Sequence, residues 1–496
     1  MKTLQDEEAW HFLANCAAQE RMFDENQRLT AKKTESQQEN CVKACGITLH
    51  FRHQCLTPKS LEKLIQLAHH VDLAVHMQHL FSGQLVNWSE KKPALHTALR
   101  AANNHPPLWV EEVNVIEHVQ KAKQQIHRIS EDLRSKQWRG FHGKTITDIV
   151  NVGIGGSDLG PKFCLHALSE YAHPELRFHF ISNADPISLS NQLRQLNPDT
   201  TLFIVASKSF TTQETLINTE AILKWLESYR IAKHVIAVTA NPAAAHAFGI
   251  QTILPIWSWV GGRYSACSAI NLITAISIGY DHFEEMLQGA RAMDEHFLQT
   301  PYAHNLPVLL ALIGIWNINF KHINNLLILT YADRLSYFTS FIQQLDMESN
   351  GKSVDKQGKR IQHATAPLVW GGCGSQAQHS YYQLLSQGTH NFTADFITIA
   401  SDENKILNGF CRAKMLALSQ GIQETDNLAQ RIDGNRRFNH ISLETCTPKH
   451  IGALIALYEH KIFTQSVVWN INPFDQPGVD SSKQLQKNCI HENATD

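Results

Sequence analysis

The sequence predicts an α/β protein built on parallel-rich sheets, and three observations carry that expectation. Apolar, β-branched runs recur at spacings of about 20 to 35 residues, as "TDIVNVG", "RFHFIS", "TLFIVAS" and "HVIAVTA". Amphipathic stretches such as "TQETLINTEAILKWLESY" fill the intervals, and strand alternating with helix at this spacing marks βαβ units. A second set, "NLLILT" near residue 325, "APLVWGG" near 366 and "NFTADFITIAS" near 391, lies among longer helical segments and predicts a second sheet.

Along the chain, the first 105 residues are expected to be mostly helical, because "SLEKLIQLAHHVDLAVHMQHLF" repeats its apolar residues at helical spacing. The opening "MKTLQDEEAWHF" is acidic where a signal peptide needs a basic start and an apolar run, which argues for the cytoplasm. The longest apolar run, "LPVLLALIGIWNI" from Leu306 to Ile318, falls short of the roughly 18 residues of a membrane span and reads as a buried helix. The last 25 residues pass from a Pro/Gly turn into a short helix and a polar tail. With 44 basic and 46 acidic residues, no net field favours nucleic acid or an anionic membrane, so an anionic ligand must be held by local geometry. The ten cysteines form no C-x-x-C pair and read as reduced thiols. Twenty-eight histidines invite a metal, yet no H-E-x-x-H or comparable ligand set occurs.

The first chemical signal is "IVNVGIGGSDLG", Ile149 to Gly160, a strand running into glycines and a helix start. A dinucleotide fingerprint starting at Gly153 needs glycine at position 158, where Asp158 would face the pyrophosphate. A P-loop starting at Gly155 needs lysine directly after Gly160, where Pro161 stands. What remains is a turn whose free N–H groups favour an anion or a polar ligand. Ser157 is either the helix N-cap, a ligand-facing hydroxyl, or both. The second signal is "VASKSFTTQET": Ser207, Lys208, Ser209, Thr211 and Thr212 lie between a strand and a helix and offer more donors than capping requires. Such donors at a helix N-terminus suit a phosphate monoester. Both turns belong on the carboxyl edge of one parallel sheet.

Six motifs then occur in order: "VNVGIGGSDLGP", "SKSFTTQET", "VGGRYS", "QQLDMESNGK", "QHSYYQL" and "DQPGV" followed by a lysine. Together they resemble the glucose-6-phosphate isomerase family, also called phosphoglucose isomerase, from about Asn87 to Lys483. The resemblance implies two sugar isomerase (SIS) α/β/α sandwich domains. Residues 1–105 would be a helical segment packing with the larger domain, 106–278 the smaller SIS domain with a phosphate-binding loop, 279–470 the larger one, and 471–496 a C-terminal arm. It implies a homodimer that uses no metal or other cofactor, binds neither nucleic acid nor membrane, and interconverts glucose 6-phosphate and fructose 6-phosphate. Carried over by position, Gly156, Ser157, Ser207, Lys208, Ser209, Phe210, Thr211 and Thr212 would contact substrate, the last six around its phosphate. Arg263, Gln344, Glu348, His379, Gln476 and Lys483 would surround the sugar, with His379 reaching the partner's site.

The chemistry fits those roles. Aldose–ketose conversion opens the ring and moves a proton between C2 and C1 through an enediol. A carboxylate suits the carbon base, and Glu348 matches, in a segment where Asn350-Gly351 suggests a sharp bend. The developing oxyanion needs directed positive charge, which Arg263 supplies. Ring opening needs a proton shuttle, which suits His379 assisted by Lys483. Several positions depart from the family pattern: Ser209 where threonine is common, Ser375-Gln376-Ala377 before His379, and Asp480 where glutamate is usual. Two alternatives remain, an isomerase for another hexose 6-phosphate and a non-catalytic sugar-phosphate-binding regulator. A regulator has no use for a carbon base.

Overall fold

The computed structural model describes residues 8–27, 40–422, 427–483 and 485. Thirteen strands occur among them: β1 Cys41–Ala44, β2 Ile47–His50, β3 Trp109–Val110, β4 Val113–Asn114, β5 Asp148–Val152, β6 Arg177–Ile181, β7 Thr201–Ala206, β8 Val235–Thr239, β9 Thr252–Pro255, β10 Asn325–Thr330, β11 Leu368–Cys373, β12 Thr393–Ile399 and β13 Arg437–Leu443. One sheet has five strands in the order β6-β5-β7-β8-β9, all parallel. The other has six, in the order β1-β2-β13-β12-β10-β11, with β10 to β13 parallel and the β1–β2 hairpin antiparallel at one edge. The short β3–β4 hairpin stands apart. This is the α/β fold with parallel-rich sheets that the apolar runs predict.

Both sheets bury a face against one shared core. In the first, Ile149, Leu202, Ile204, Ile236 and Val238 point into that core, while their neighbours Val150, Phe203, Val205, Val235 and Ala237 form a separate cluster on the other face. Adjacent strand residues point to opposite faces, so a strand covered on both sides must be apolar throughout. In the second sheet Ile328, Ile397 and Ile441 face the shared core, and Leu327, Phe396 and Phe438 face the outer cluster. The helix Pro448–Val468 runs through the centre, every residue from Ile451 to Val468 being buried. It lies so close to helix Tyr280–Gln299 that a Cβ on Gly452 would sit 1.8 Å from the Met286 carbonyl oxygen, and one on Gly289 would sit 1.8 Å from that of Lys449. The apolar run from Leu306 is a buried helix, Leu306–Ile315, continuing into a π-helical turn, Trp316–Phe320. Among the described residues no helix is long and apolar enough to cross a membrane.

The N-terminal segment is less purely helical than its periodicity predicts. Helices Pro58–His70 and Leu73–Phe81 form as expected, but β1 and β2 add two strands to the second sheet. Cys45 and Gly46 both have positive φ (51° and 72°), which makes a tight hairpin turn. Ile47 and Leu49, fully buried, alternate inward from β2. Four residues per strand are too few to show that alternation clearly in the sequence. At the other end, 471–475 form a buried loop and 477–483 a helical turn; the polar tail from 486 onward lies outside the described residues.

Candidate active site

The site begins at the carboxyl ends of β5 and β7, which lie side by side. After β5 the chain turns through Gly155–Ser157 into helix Leu159–Ala167. Gly155 has φ +59°, and a Cβ on Gly156 would lie 2.1 Å from the Gly262 carbonyl oxygen. Only glycine lets this turn meet the "VGGRYS" turn backbone to backbone. Asp158 is buried and pairs with Lys162 at 2.9 Å; burial raises its pKa in spite of that partner. Ser157 makes no capping hydrogen bond, the N-cap position being Asp158. Of the two roles the sequence left open for Ser157, capping is therefore not used.

After β7, residues 207–212 lead into helix Gln213–Leu226, which starts at Thr212 without a side-chain cap. The loop is held by its own hydroxyls. The Phe210 N–H donates to Ser207 Oγ at 3.2 Å, and both the N–H and the hydroxyl of Thr211 donate to Ser209 Oγ, at 3.3 and 2.7 Å. The side chains of two residues that the sequence offers as ligand contacts also hold the structure together. Phe210, at φ +54°, turns its ring into the core against Phe248, with centroids 5.7 Å apart. Lys208 Nζ donates to the carbonyls of Ser258 and Val260 at 3.1 and 2.8 Å, and burial lowers its pKa. That ammonium tethers the segment leading to Arg263. The backbone needs an apolar anchor and a cation here, which a motif read as a string of donors does not reveal.

Arg263 is the centre of the other half of the site. Its guanidinium makes four hydrogen bonds and one ion pair. Nε donates to Ser349 Oγ at 2.7 Å, Nη2 to the carbonyls of Pro473 and Asp475 at 2.6 and 3.0 Å, and Nη1 to Gln476 Oε1 at 3.1 Å. Nη1 also stands 3.3 Å from the Glu348 carboxylate. That carboxylate accepts from Gln344 Nε2 at 2.9 Å, and Gln344 borders the glycine turn, since a Cβ on Gly155 would lie 3.1 Å from its Nε2. The structure thus brings Arg263, Gln344, Glu348 and Gln476 together beside Gly155 and Gly156. Arg263 is buried, whereas the Glu348 side chain keeps 22% of its surface open.

The sequence put Glu348 beside a bend made by Asn350-Gly351. It stands instead on a π-helical turn, Gln343–Glu348, and the helix runs on through Asn350. Asn350 stays helical because its side chain is buried and donates to the Ile462 carbonyl at 3.1 Å; the chain leaves the helix only at Gly351, where a Cβ would lie 2.4 Å from the Met347 carbonyl oxygen. Such wide turns recur at functional sites. This one is pinned from inside by Asp346, fully buried and ion-paired with Lys461.

His379 and Lys483 are exposed, and among the described residues no hydrogen bond or ion pair joins either to Glu348 or Arg263. His379 follows helix Gly374–Ala377, and its N–H donates to the Gln376 carbonyl at 3.0 Å. Lys483 stands seven residues after Gln476, two turns along one helical face, with Asp480 on that face 3.5 Å from Gln476 Nε2.

Sequence reasoning missed the bracket behind Arg263. Asp475 Oδ2 accepts from Ser89 Oγ at 2.5 Å and from Asn472 Nδ2 at 2.9 Å, and Asn472 also donates to Asn87 Oδ1 at 2.9 Å. His96 lies against the Tyr264 ring at 4.7 Å, and buried Arg100 pairs with Asp294 and Glu459, each at 2.6 Å. Ser89, His96 and Arg100 belong to the single stretch "NWSEKKPALHTALR", but the partner of Ser89 lies 386 residues away. Lys352 was also passed over. It is largely buried, and burial, reinforced by Arg263, lowers its pKa from 10.5 to about 8.

A family model described as phosphoglucose isomerase matches residues 50–496. A glucose-6-phosphate isomerase of Legionella pneumophila (strain Lens) is 49% identical over 486 residues, covering 98% of this chain and 95% of its own. Another, from strain Paris, is 51% identical over 453 residues, 91% of this chain and 90% of its own. The solved structure of a glucose-6-phosphate isomerase from Chlamydia trachomatis has a TM-score of 0.91 at 31% identity and covers 99% of this chain and 97% of its own. With sequence, fold and family model in agreement over nearly the whole length, this chain belongs to the phosphoglucose isomerase family.

Proposed function

We propose that this chain interconverts glucose 6-phosphate and fructose 6-phosphate by ring opening and proton transfer through a cis-enediol, as a step of glycolysis and gluconeogenesis in the cytoplasm. The observation that carries this reading is the Glu348 carboxylate held 3.3 Å from Arg263 Nη1 and 2.9 Å from Gln344 Nε2, partly open to ligand, beside the glycine turn. Glu348 takes the C2 proton and returns it to C1, or the reverse, while Arg263 stabilises the charge that develops on the enediol oxygens. The phosphate lies at the uncapped N-terminus of helix Gln213–Leu226, met by Ser209, Thr211, Thr212 and free N–H groups. Gly156 and Ser157 face the sugar, and Gln476 orients it through Arg263.

In this reading the working unit is a homodimer. Exposed His379 serves the partner's site, opening the ring with Lys483 of that site, and the reaction uses no cofactor. The smaller domain, 106–278, carries the phosphate loop; the larger, 279–470, carries Glu348 and His379; and the arm from 471 carries Lys483. Nine described cysteines are free, in keeping with a reducing compartment. The test is conversion of fructose 6-phosphate to glucose 6-phosphate by purified protein without added metal or nucleotide. Tight binding of the sugar phosphate by a dimeric sample with no turnover would replace this reading with that of a regulator.

A further inference from the structure

Lys352 has no role in the mechanism above, yet its ammonium joins the two elements on which that mechanism depends. Nζ donates to the main-chain carbonyls of Glu348 at 2.9 Å, Ser349 at 2.8 Å and Asp475 at 2.9 Å. Those three bonds use all of its donors. The Asp475 carboxylate stands 3.4 Å away as counter-charge, and the lysine side chain is only 12% exposed. Glu348 and Ser349 lie in the last turn of the helix that carries the base, where carbonyls have no partner within the helix. Asp475 belongs to the loop whose carbonyls hold Arg263 Nη2. Ser349 is gripped from both sides, since its Oγ accepts from Arg263 Nε while its carbonyl accepts from Lys352.

We propose that Lys352 is a positioning residue that sets the separation of the Glu348 carboxylate and the Arg263 guanidinium by fixing both supporting backbones to one ammonium. The proposal rests on Glu348 acting as the base. Without Lys352, the Glu348 and Ser349 carbonyls lose their donor, the Asp475 carbonyl keeps only Arg263 Nη2, and the helix end is free to slide against the loop. A shift of about 1 Å at a reacting group costs on the order of 10²-fold in rate.

The charged groups facing this ammonium are Arg263, from the turn packed on it, which disfavours its charge, and Asp475 and Glu348, from the loop and the helix, which favour it. Burial is the largest influence and brings the pKa down to about 8. The ammonium is therefore charged below about pH 8 and loses its charge above it, so turnover should fall on the alkaline side with a midpoint in that region.

The test uses the full-length enzyme with Lys352→Met and Lys352→Arg, measuring kcat and KM for fructose 6-phosphate from about pH 6 to about pH 10, with thermal unfolding as the check of folding. The methionine variant should lose about 10²-fold in kcat with KM changed less than about threefold, the pattern of a misplaced reacting group rather than lost binding. The arginine variant should keep more kcat than methionine and move the alkaline limb upward by at least about one pH unit, because a guanidinium stays charged. A folded methionine variant with near-normal kcat overturns the proposal, and so does an arginine variant whose alkaline limb stays in place. If the methionine variant does not fold, the arginine profile decides alone. A wild type without isomerase turnover would sink the functional reading itself, and this proposal with it, whereas an active wild type with indifferent variants sinks the proposal alone.

Discussion

The two halves of the site are made of different material. The turns after β5 and β7 are built from backbone: glycines pressed against glycines, hydroxyls closing on their own loop, and a helix start left uncapped. The Arg263–Glu348 side is built from side chains gathered from four distant segments and saturated with hydrogen bonds. Backbone turns can be written locally, as a short motif that says what it is. A side-chain cluster needs its whole surround, so a change at any of several remote positions reaches the reacting groups.

That contrast can be broken or sharpened by substitution. The largest effect is expected at Arg263→Ala, which removes the fixed charge and empties a buried position that makes four hydrogen bonds; kcat should fall about 10²- to 10³-fold, the usual cost of losing an oxyanion donor, measured by steady-state turnover of fructose 6-phosphate. Next is Gly156→Ala. Its Cβ would meet the Gly262 carbonyl at 2.1 Å, so the two turns must part, and a displacement of about 1 Å carries a loss of about 10²-fold, seen in kcat with only modest change in melting temperature. A near-normal Gly156→Ala enzyme would show that backbone contact does not set the geometry. The smallest effect on chemistry is expected at Phe210→Ala. Removing its buried ring should cost about 3 to 5 kcal/mol of stability in urea unfolding and, with residues 207–212 loosened, raise KM, while kcat changes little.

The same contrast explains what the sequence made legible. β5, β7, β8, β10 and β12 are apolar on both faces because both are covered, and they stand out as runs. The β1–β2 hairpin forms one edge of its sheet, and β13, "RFNHISL", though interior, carries Asn439 and His440, whose polar partners Asp395 and Thr398 lie on the neighbouring strand β12 and leave no apolar run to read. The glycine turn was readable as a strand-to-helix turn, and Asp158 and Pro161 as departures from the nucleotide loops. The environment of Glu348 was not readable: a π-helical turn leaves no local pattern, and its supports Asp346–Lys461 and Lys352–Asp475 pair residues more than a hundred positions apart. Phe210 and Lys208 show side-chain roles that the motif did not reveal, since the ring and the ammonium anchor the loop and the segment leading to Arg263.

The central claim is that Glu348, held against Arg263, carries the proton between C2 and C1. Its most direct test is NMR of glucose 6-phosphate formed from fructose 6-phosphate in deuterated water. The wild type should place solvent deuterium at C2, and Glu348→Gln should do so at least about 10²-fold more slowly while still binding the sugar phosphate. Incorporation by Glu348→Gln at near the wild-type rate would contradict the account.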